Sequence, residues 1–147
     1  CADPRCPLRY QHMNAPRSNP YRIFIVDDSP AVREALRWAF EGEPDFTIIG
    51  DVGDGACAVA AIRLAHPDVV ILDIELPSLD GYTIAQTIKA TPQPPLVIFL
   101  SIHQDPTARQ RCAEAGGDGF VAKGFGWTAL IAKIRAALAI QSGNDAA

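Results

Sequence analysis

Polar side chains suited to phosphoryl chemistry lie at the ends of four apolar runs in this sequence. They are Asp27 and Asp28 after the first run, Asp73 after the third, Ser101 ending the fourth and Lys123 after the fifth. Three carboxylates in one cleft repel each other unless a cation or protons intervene, and Mg2+ prefers carboxylate, water and phosphoryl oxygens. A carboxylate beside such an ion can attack phosphorus. We therefore predict an aspartyl-phosphate at Asp73, with Lys123 and Ser101 stabilising charge on the transferred oxygens.

The segment around Asp73 predicts how this group is positioned. Residues 69–72 are uninterrupted apolar residues, and Pro77 and Gly81 follow in a turn-rich segment. Such a run is typical of a strand buried on both faces of a parallel sheet. Because open α/β sheets bind ligands at the carboxyl ends of their strands, Asp73 should lie at the rim of a cleft.

Five apolar strands alternate with five helical patterns along the rest of the chain. Ser29–Pro30 and Asp105–Pro106 each combine an N-cap residue with a proline at the first helical position, which is typical of helix starts. Short links between alternating elements predict an α/β domain with a doubly wound parallel sheet. We assign this domain to residues 21–140 and a polar C-terminal tail to residues 141–147.

Residues 1–20 contain four prolines and show no periodicity, so they are predicted to form a disordered tail. Met13 is a candidate natural start, with the preceding residues being added or upstream sequence. Cys1 and Cys6 have only His12 near them, which is a poorly specified metal site. Cys57 and Cys112 lie among alanines in helical patterns and should be buried free thiols.

Charge and hydropathy exclude several classes of function. The net charge is −4, and the first twenty residues contribute positive charge, so the body of the chain is acidic. An acidic body argues against direct nucleic-acid binding. No apolar run approaches transmembrane length, and the N-terminus lacks the apolar region of a signal peptide. We expect a cytoplasmic protein that does not bind membranes.

The combination of motifs resembles the receiver domain of two-component response regulators. The likeness covers about residues 22–139, and the sequences around Asp27–Asp28 and Asp51–Gly55 are most similar to the NarL/FixJ-like subgroup. The positions that carry it are Asp27–Asp28, Asp73 with Pro77, Asp80 and Gly81, Ser101, and Phe120 with Lys123. The resemblance implies the flavodoxin-like (βα)5 fold with strand order 2-1-3-4-5.

The resemblance also implies a phosphoacceptor and a metal site. Asp73 would accept a phosphoryl group from a histidine kinase or a phosphotransfer protein. Mg2+, with Mn2+ as a substitute, would be bound directly by Asp28 and mostly through water by Asp27. Asp73 and the Glu75 backbone carbonyl would complete the protein ligands.

Further roles follow from the same resemblance. Lys123 would pair with the phosphoryl group, Ser101 would be the switch hydroxyl, and Phe120 the switch aromatic, with a static core role as the alternative for Phe120. Glu75 and His103 would flank the phosphoryl group and tune water attack, the alternative for His103 being an exposed residue without a role.

Two departures from the family pattern stand beside these roles. Phe120 occupies a position where Tyr is common, so an inward side chain gains packing but no hydroxyl hydrogen bond. Gly124 follows Lys123 where Pro is frequent. Neither departure removes a reacting group from the predicted site.

The predicted function is a phosphorylation-activated signalling switch that turns over no external substrate. Its changed face would bind an output domain or a second copy of the chain, as in the receiver part of a transcriptional response regulator. A stand-alone receiver in a phosphorelay without DNA-binding output is the alternative. A Mg2+-dependent phosphohydrolase is more remote, because Asp27-x-Ser29 lacks the second acid which that chemistry usually needs. A pseudo-receiver used only for docking is disfavoured by the intact acids and Lys123.

Overall fold

The computed structural model describes residues 19–103, 105–124 and 126–145. Residues 1–18 of the tail predicted for residues 1–20, including the Cys1, Cys6 and His12 group, lie outside the described residues. Within them, strands and helices alternate. The strands are β1 (Tyr21–Val26), β2 (Phe46–Val52), β3 (Val69–Asp73), β4 (Leu96–Ser101) and β5 (Gly119–Ala122), and the helices are α1 (Pro30–Glu41), α2 (Gly55–Ala65), α3 (Gly81–Lys89), α4 (Pro106–Glu114) and α5 (Thr128–Asp145).

The five strands form one parallel sheet in the order β2-β1-β3-β4-β5. The predicted fold class and strand order are therefore confirmed. The register pairs Val26 with Leu72 and Asp73 with Leu100, so the carboxyl ends of β1, β3 and β4 reach the same edge. The strand that carries Asp73 lies in the middle of the sheet.

Apolar side chains pack on both faces of the sheet, which explains the uninterrupted apolar run of β3. Val69 and Ile71 face a cluster beneath α1 and α5, whereas Val70 and Leu72 face a second cluster beneath α2, α3 and α4. Successive strand residues point to opposite faces, so a strand covered on both sides needs apolar residues at every position. This packing fixes the backbone on which Asp73 is carried.

Four helices begin at the capping residues that their sequences contain. Ser29 Oγ accepts a hydrogen bond from the Val32 N–H at 3.3 Å, and Asp105 Oδ1 accepts one from the Ala108 N–H at 2.8 Å. Asp54 and Asp80 cap α2 and α3 in the same way. Each cap satisfies a backbone donor that has no partner within its helix. The predicted starts of α1 and α4 are therefore confirmed.

The C-terminal helix is longer than the sequence predicted. Residues 141–145 were expected in a polar tail, but α5 continues to Asp145. Ile134, Ala137 and Leu138 anchor the helix in the core, and no proline follows to interrupt its hydrogen bonding. The helix therefore extends beyond its last buried turn, as helix ends without a stop residue often do.

The two described cysteines have different environments. Cys112 is buried as predicted, and burial raises the pKa of its thiol to about 11. The prediction of a buried Cys57 is wrong, because its thiol is exposed. Ala58 and Ile62 form the buried side of α2, so the neighbouring Cys57 points to solvent. Helical periodicity, and not the local apolar composition, decides which thiol is buried.

The segment after Lys123 has an unusual backbone conformation. Gly124 has φ of 95°, in the region that only glycine adopts readily. Proline is restricted to φ near −65° and could not occupy this conformation. The glycine at position 124 therefore suits a backbone conformation that proline could not adopt.

Candidate functional site

Three carboxylates meet at the carboxyl ends of β1 and β3. One oxygen from each of Asp27, Asp28 and Asp73 lies within 4.8 Å of the others. Asp27 and Asp73 are buried, whereas Asp28 is exposed. The parallel pairing of β1 with β3 places the carboxyl ends of these two neighbouring strands side by side, and this brings the two buried acids together. The convergence predicted from the sequence is present.

Contacts from three directions position the buried Asp27. Its backbone N–H donates to the Val52 carbonyl at 3.1 Å, and its Oδ1 accepts from the Ser29 N–H at 2.9 Å. Its Oδ2 lies 2.8 Å from Lys123 Nζ. Among the described residues, no group meets Oδ2 in hydrogen-bond geometry. A buried carboxylate oxygen in this situation is suited to bind a cation directly or through water.

Asp73 lies between a hydrogen-bond donor and an ammonium group. Its Oδ1 accepts from the Glu75 N–H at 3.0 Å, and its Oδ2 lies 3.1 Å from Lys123 Nζ. Burial and the nearby Asp27 charge raise the pKa of Asp73 to about 6, and the contacts with Glu75 and Lys123 only partly oppose this rise. Burial alone would lower the pKa of Lys123, but Asp27 and Asp73 outweigh it and raise that pKa. Lys123 thus stays charged beside both acids.

The predicted switch residues lie on β4 and β5. Ser101 ends β4 and is buried, and its Oγ accepts a hydrogen bond from the His103 N–H at 2.9 Å. Phe120 is half-buried against the second core cluster, and the Arg109 guanidinium lies 5.0 Å from its ring centroid. The contact with Arg109 links Phe120 to α4 through a cation–π interaction. Their switching roles remain predictions.

Glu75 and His103 contact each other through their side chains. Glu75 Oε1 lies 2.6 Å from His103 Nε2, and about half of each side chain is exposed. One residue follows β3 and the other follows β4, so the pair joins the two loops next to Asp73 and Ser101. The structure brings together the two residues predicted to tune water attack, and that role remains a prediction.

The donor set fits a hard divalent cation. It consists of one carboxylate oxygen from each of the three acids, without a cysteine or histidine among them. Mg2+ binds such oxygens and keeps several waters. Asp27, Asp28 and Asp73 are therefore suitable candidates for its protein ligands, and the contribution of the Glu75 backbone carbonyl remains a prediction.

One contributor to the site was missed in the sequence. Arg33 of α1 donates from Nη1 to the Asp27 carbonyl oxygen at 2.7 Å and from Nε to Asp51 Oδ1 at 3.0 Å. Its position six residues after Asp27, in the first turns of α1, could have indicated a side chain directed back towards the acidic loop. Asp51 at the end of β2 offered the matching charge.

Comparison with known proteins agrees with this geometry. A family model of the response regulator receiver domain matches residues 23–135. The chain belongs to this family. The receiver domain also has a structural neighbour, a two-component response regulator of the LuxR family from Aurantimonas sp. SI85-9A1. The two share 30% identity and a TM-score of 0.76, and the match covers 82% of this chain and 86% of the other.

Two curated relatives are proteins of different kinds. The receiver domain is 29% identical over 133 residues to a Mycobacterium tuberculosis chain described as "Probable transcriptional regulatory protein NarL", covering 90% of this chain and 60% of the relative. It is 34% identical over 130 residues to a protein-glutamate methylesterase/protein-glutamine glutaminase from Symbiobacterium thermophilum, covering 82% of this chain and 36% of the relative. The chain therefore spans only part of these relatives.

These findings confirm the NarL/FixJ-like receiver assignment made from the sequence, and they support phosphorylation-activated signalling. In the part of the chain that the structure describes, no helix has the length and hydropathy needed to cross a membrane.

Proposed function

We propose that this receiver domain accepts a phosphoryl group on Asp73 from a histidine kinase or phosphotransfer protein and thereby changes a partner-binding face. The observation that carries the proposal is the convergence of Asp27, Asp28 and Asp73 with Lys123 at one edge of the sheet. Acids in this arrangement need a cation, and an ammonium beside the reacting oxygen suits a phosphoryl group.

The transfer makes one bond to phosphorus and breaks another. An Asp73 carboxylate oxygen attacks the phosphorus of a donor phosphohistidine, the P–N bond breaks, and the imidazole leaves with a proton from solvent. Asp73 Oδ1 is held by the Glu75 N–H, so Oδ2 is the oxygen available for attack. Lys123 already contacts that oxygen and can move with the new charge on the phosphoryl group.

Asp28, Asp27, Asp73 and the Glu75 carbonyl are proposed as protein ligands of Mg2+. When bound, Mg2+ supplies positive charge that stabilises the transferred phosphoryl oxygens. Asp28 is exposed and free to bind directly, whereas the buried Asp27 already contacts Lys123 and is better suited to bind through water. These different environments support the roles inferred from the resemblance.

Signalling from the site is proposed to pass through Ser101 and Phe120. A phosphoryl group on Asp73 would attract the Ser101 hydroxyl, which now accepts a hydrogen bond within its own loop. Movement of that loop would release space for Phe120 and disturb its contact with Arg109 on α4. The face formed by α4 and β5 would then bind a partner, such as an output domain or a second copy of the chain.

A role in transcription regulation is the favoured cellular setting, because the relative from Mycobacterium tuberculosis is described as a probable transcriptional regulatory protein. The relative with methylesterase activity shows that similar receivers also belong to proteins with another output. A stand-alone receiver in a phosphorelay is the alternative. The mass of the full-length gene product would distinguish a chain with an output domain from a stand-alone receiver.

Intact-mass analysis tests the acceptor directly. With Mg2+ and acetyl phosphate, the wild-type chain should gain one phosphoryl group, and Asp73→Asn should gain none. Asp80→Asn is a matched control, because Asp80 is a nearby exposed acid that caps α3 and does not belong to the acidic cluster. Full labelling of the Asp73 variant would contradict the proposed acceptor.

A further inference from the structure

Arg33 holds the peptide that joins Asp27 to Asp28. Its Nη1 donates to the Asp27 carbonyl oxygen at 2.7 Å, and its Nε pairs with Asp51 Oδ1 at 3.0 Å. The side chain is only 21% exposed, so these contacts are partly shielded from water. Because a guanidinium group is planar and rigid, two contacts at different nitrogens fix its orientation.

The orientation of this peptide determines where Asp28 points. A peptide unit is planar, so the direction of the Asp27 carbonyl also sets the direction of the Asp28 N–H and its Cα. Within the described residues, the exposed Asp28 carboxylate makes no hydrogen bond or ion pair of its own. Its position therefore depends on the backbone that precedes it.

We propose that Arg33 is a positioning residue for the metal site: it orients the Asp27–Asp28 peptide so that both carboxylates face the same cation. The inference rests on the proposed function, because it concerns how the ligands of Mg2+ are held. Arg33 does not belong to the acidic cluster and acts through the backbone. Residues that orient metal ligands in this way typically change metal affinity by about 10–100-fold when removed.

Gly53 leaves the space that this contact needs. A Cβ added at Gly53 would lie 2.7 Å from Arg33 Nη1 and 3.6 Å from the Asp27 carbonyl oxygen. The end of an arginine side chain can usually move away, but here it is held by Asp27 and by Asp51. An alanine at position 53 should therefore push the guanidinium off the carbonyl while leaving Arg33 in place.

The test is the dissociation constant of Mg2+ for the metal-free protein, measured by isothermal titration calorimetry at constant ionic strength. Arg33→Ala should weaken binding about tenfold, and Arg33→Lys by less, since an ammonium can keep one contact. Loss of a positive charge near three acids would by itself strengthen Mg2+ binding, so the expected weakening has the opposite sign to a simple charge effect.

Arg37→Ala is the matched control. Arg37 also pairs with Asp51, at 2.5 Å, but it makes no contact with the Asp27 carbonyl. Its replacement removes the same charge and should leave Mg2+ affinity within about twofold of wild type. A loss as large as that of Arg33→Ala would overturn the proposal, because the ion pair with Asp51 and not the backbone contact would then be responsible.

A double-mutant cycle with Gly53→Ala separates positioning from general stability. Gly53→Ala alone should weaken Mg2+ binding several-fold, and it should have no further effect in an Arg33→Ala background, because both changes remove one contact. Full additivity, or wild-type affinity in folded Arg33→Ala protein, would overturn the role of Arg33.

If the wild type binds no Mg2+, the proposed function fails together with this inference. If Arg33→Ala does not fold, Arg33→Lys and Gly53→Ala still decide the outcome.

Discussion

At the scale of single residues, the contact between Glu75 and His103 is expected to affect the lifetime of a phosphoryl group on Asp73. Their 2.6 Å contact joins the loops after β3 and β4, and solvent reaches both side chains. Such a pair would cover the approach of water to a phosphoryl group on Asp73. Replacing both residues by alanine should therefore speed dephosphorylation by about tenfold, equivalent to about 1.4 kcal/mol in the barrier. The decay of phosphorylated protein followed by intact mass gives this rate.

The control for this pair is Ser78→Ala. Ser78 lies on the same loop as Glu75, but its hydroxyl contacts Asp54 at the start of α2. Its replacement should leave the phosphoryl half-life unchanged. An unchanged half-life in the double alanine variant would show that Glu75 and His103 are surface residues without influence on water attack.

The acidic residues of the site were predictable from the sequence, whereas the contacts that position them were not. Asp27, Asp28 and Asp73 each follow an apolar run, and parallel strands must bring such ends together. The contact of Arg33 with the Asp27 carbonyl depends on a helix orientation and on the space at Gly53, neither of which a linear pattern contains. Residue types reveal charges, but distances between elements decide which charges meet.

At the scale of elements, the start of α3 packs against the backbone of Asp73. A Cβ at Gly81 would lie 2.4 Å from the Asp73 carbonyl oxygen and 2.9 Å from the Ile74 Cα. Gly81→Ala should therefore move α3 away from β3 and lower the free energy of unfolding by about 1–3 kcal/mol. Urea unfolding measures this loss, and phosphorylation of Asp73 should be slower in the variant.

Gly42→Ala is the control for the change at Gly81. Gly42 follows α1, has φ of −83°, and would place a Cβ with no atom within 4 Å. This alanine should be neutral or slightly stabilising. Equal losses in the two variants would show that close packing on Asp73 is not what requires glycine at position 81.

The helix α4 is the element best suited to move. Its buried residue is Cys112, whereas α3 buries Ile84, Ala85 and Ile88. Little apolar area holds α4 in place, so we expect its amides to exchange hydrogen faster than those of α3. Beryllofluoride, a phosphoryl mimic, should shift the NMR signals of residues 105–122. Shifts confined to the residues around Asp73 would contradict transmission through this helix.

The elements themselves were largely predictable, and the differences have local causes. Strands buried on both faces gave continuous apolar runs, and caps such as Ser29 and Asp105 indicated the helix starts. The exposure of Cys57 escaped prediction because a helix rich in alanine has no strong apolar face to orient it. The extension of α5 escaped because polar residues can continue a helix after its packing ends.

At the scale of the whole molecule, the acidic site reduces the stability of the metal-free protein. The pKa of Asp73 is raised to about 6 by burial and by Asp27. Folding therefore favours the protonated carboxyl, a contribution that is complete below about pH 4 and lost as the pH rises through about 6. Asp73→Asn has no carboxyl group at this position and so cannot lose this contribution. The difference in free energy of unfolding between Asp73→Asn and wild type should therefore shift in favour of the variant by about 2 kcal/mol between pH 4 and pH 8.

Chemical unfolding in the presence of a chelator measures this difference across the pH range. Asp28→Asn is the control, because it also replaces an acid of the cluster by asparagine, but at an exposed position. If the free energy of unfolding changed with pH by the same amount in wild type and Asp73→Asn, the expected destabilisation by a charged Asp73 would be contradicted. Added Mg2+ should stabilise the wild type most where Asp73 is ionised.

The conformation of Gly124 limits how parts of this domain can be exchanged with those of relatives. Its φ of 95° is a conformation that proline, restricted to φ near −65°, cannot adopt. Introducing the residue that is frequent in the family at this position would therefore strain the connection instead of rigidifying it. A hybrid receiver joined just after Lys123 should therefore keep glycine at position 124, whichever parent supplies the following helix.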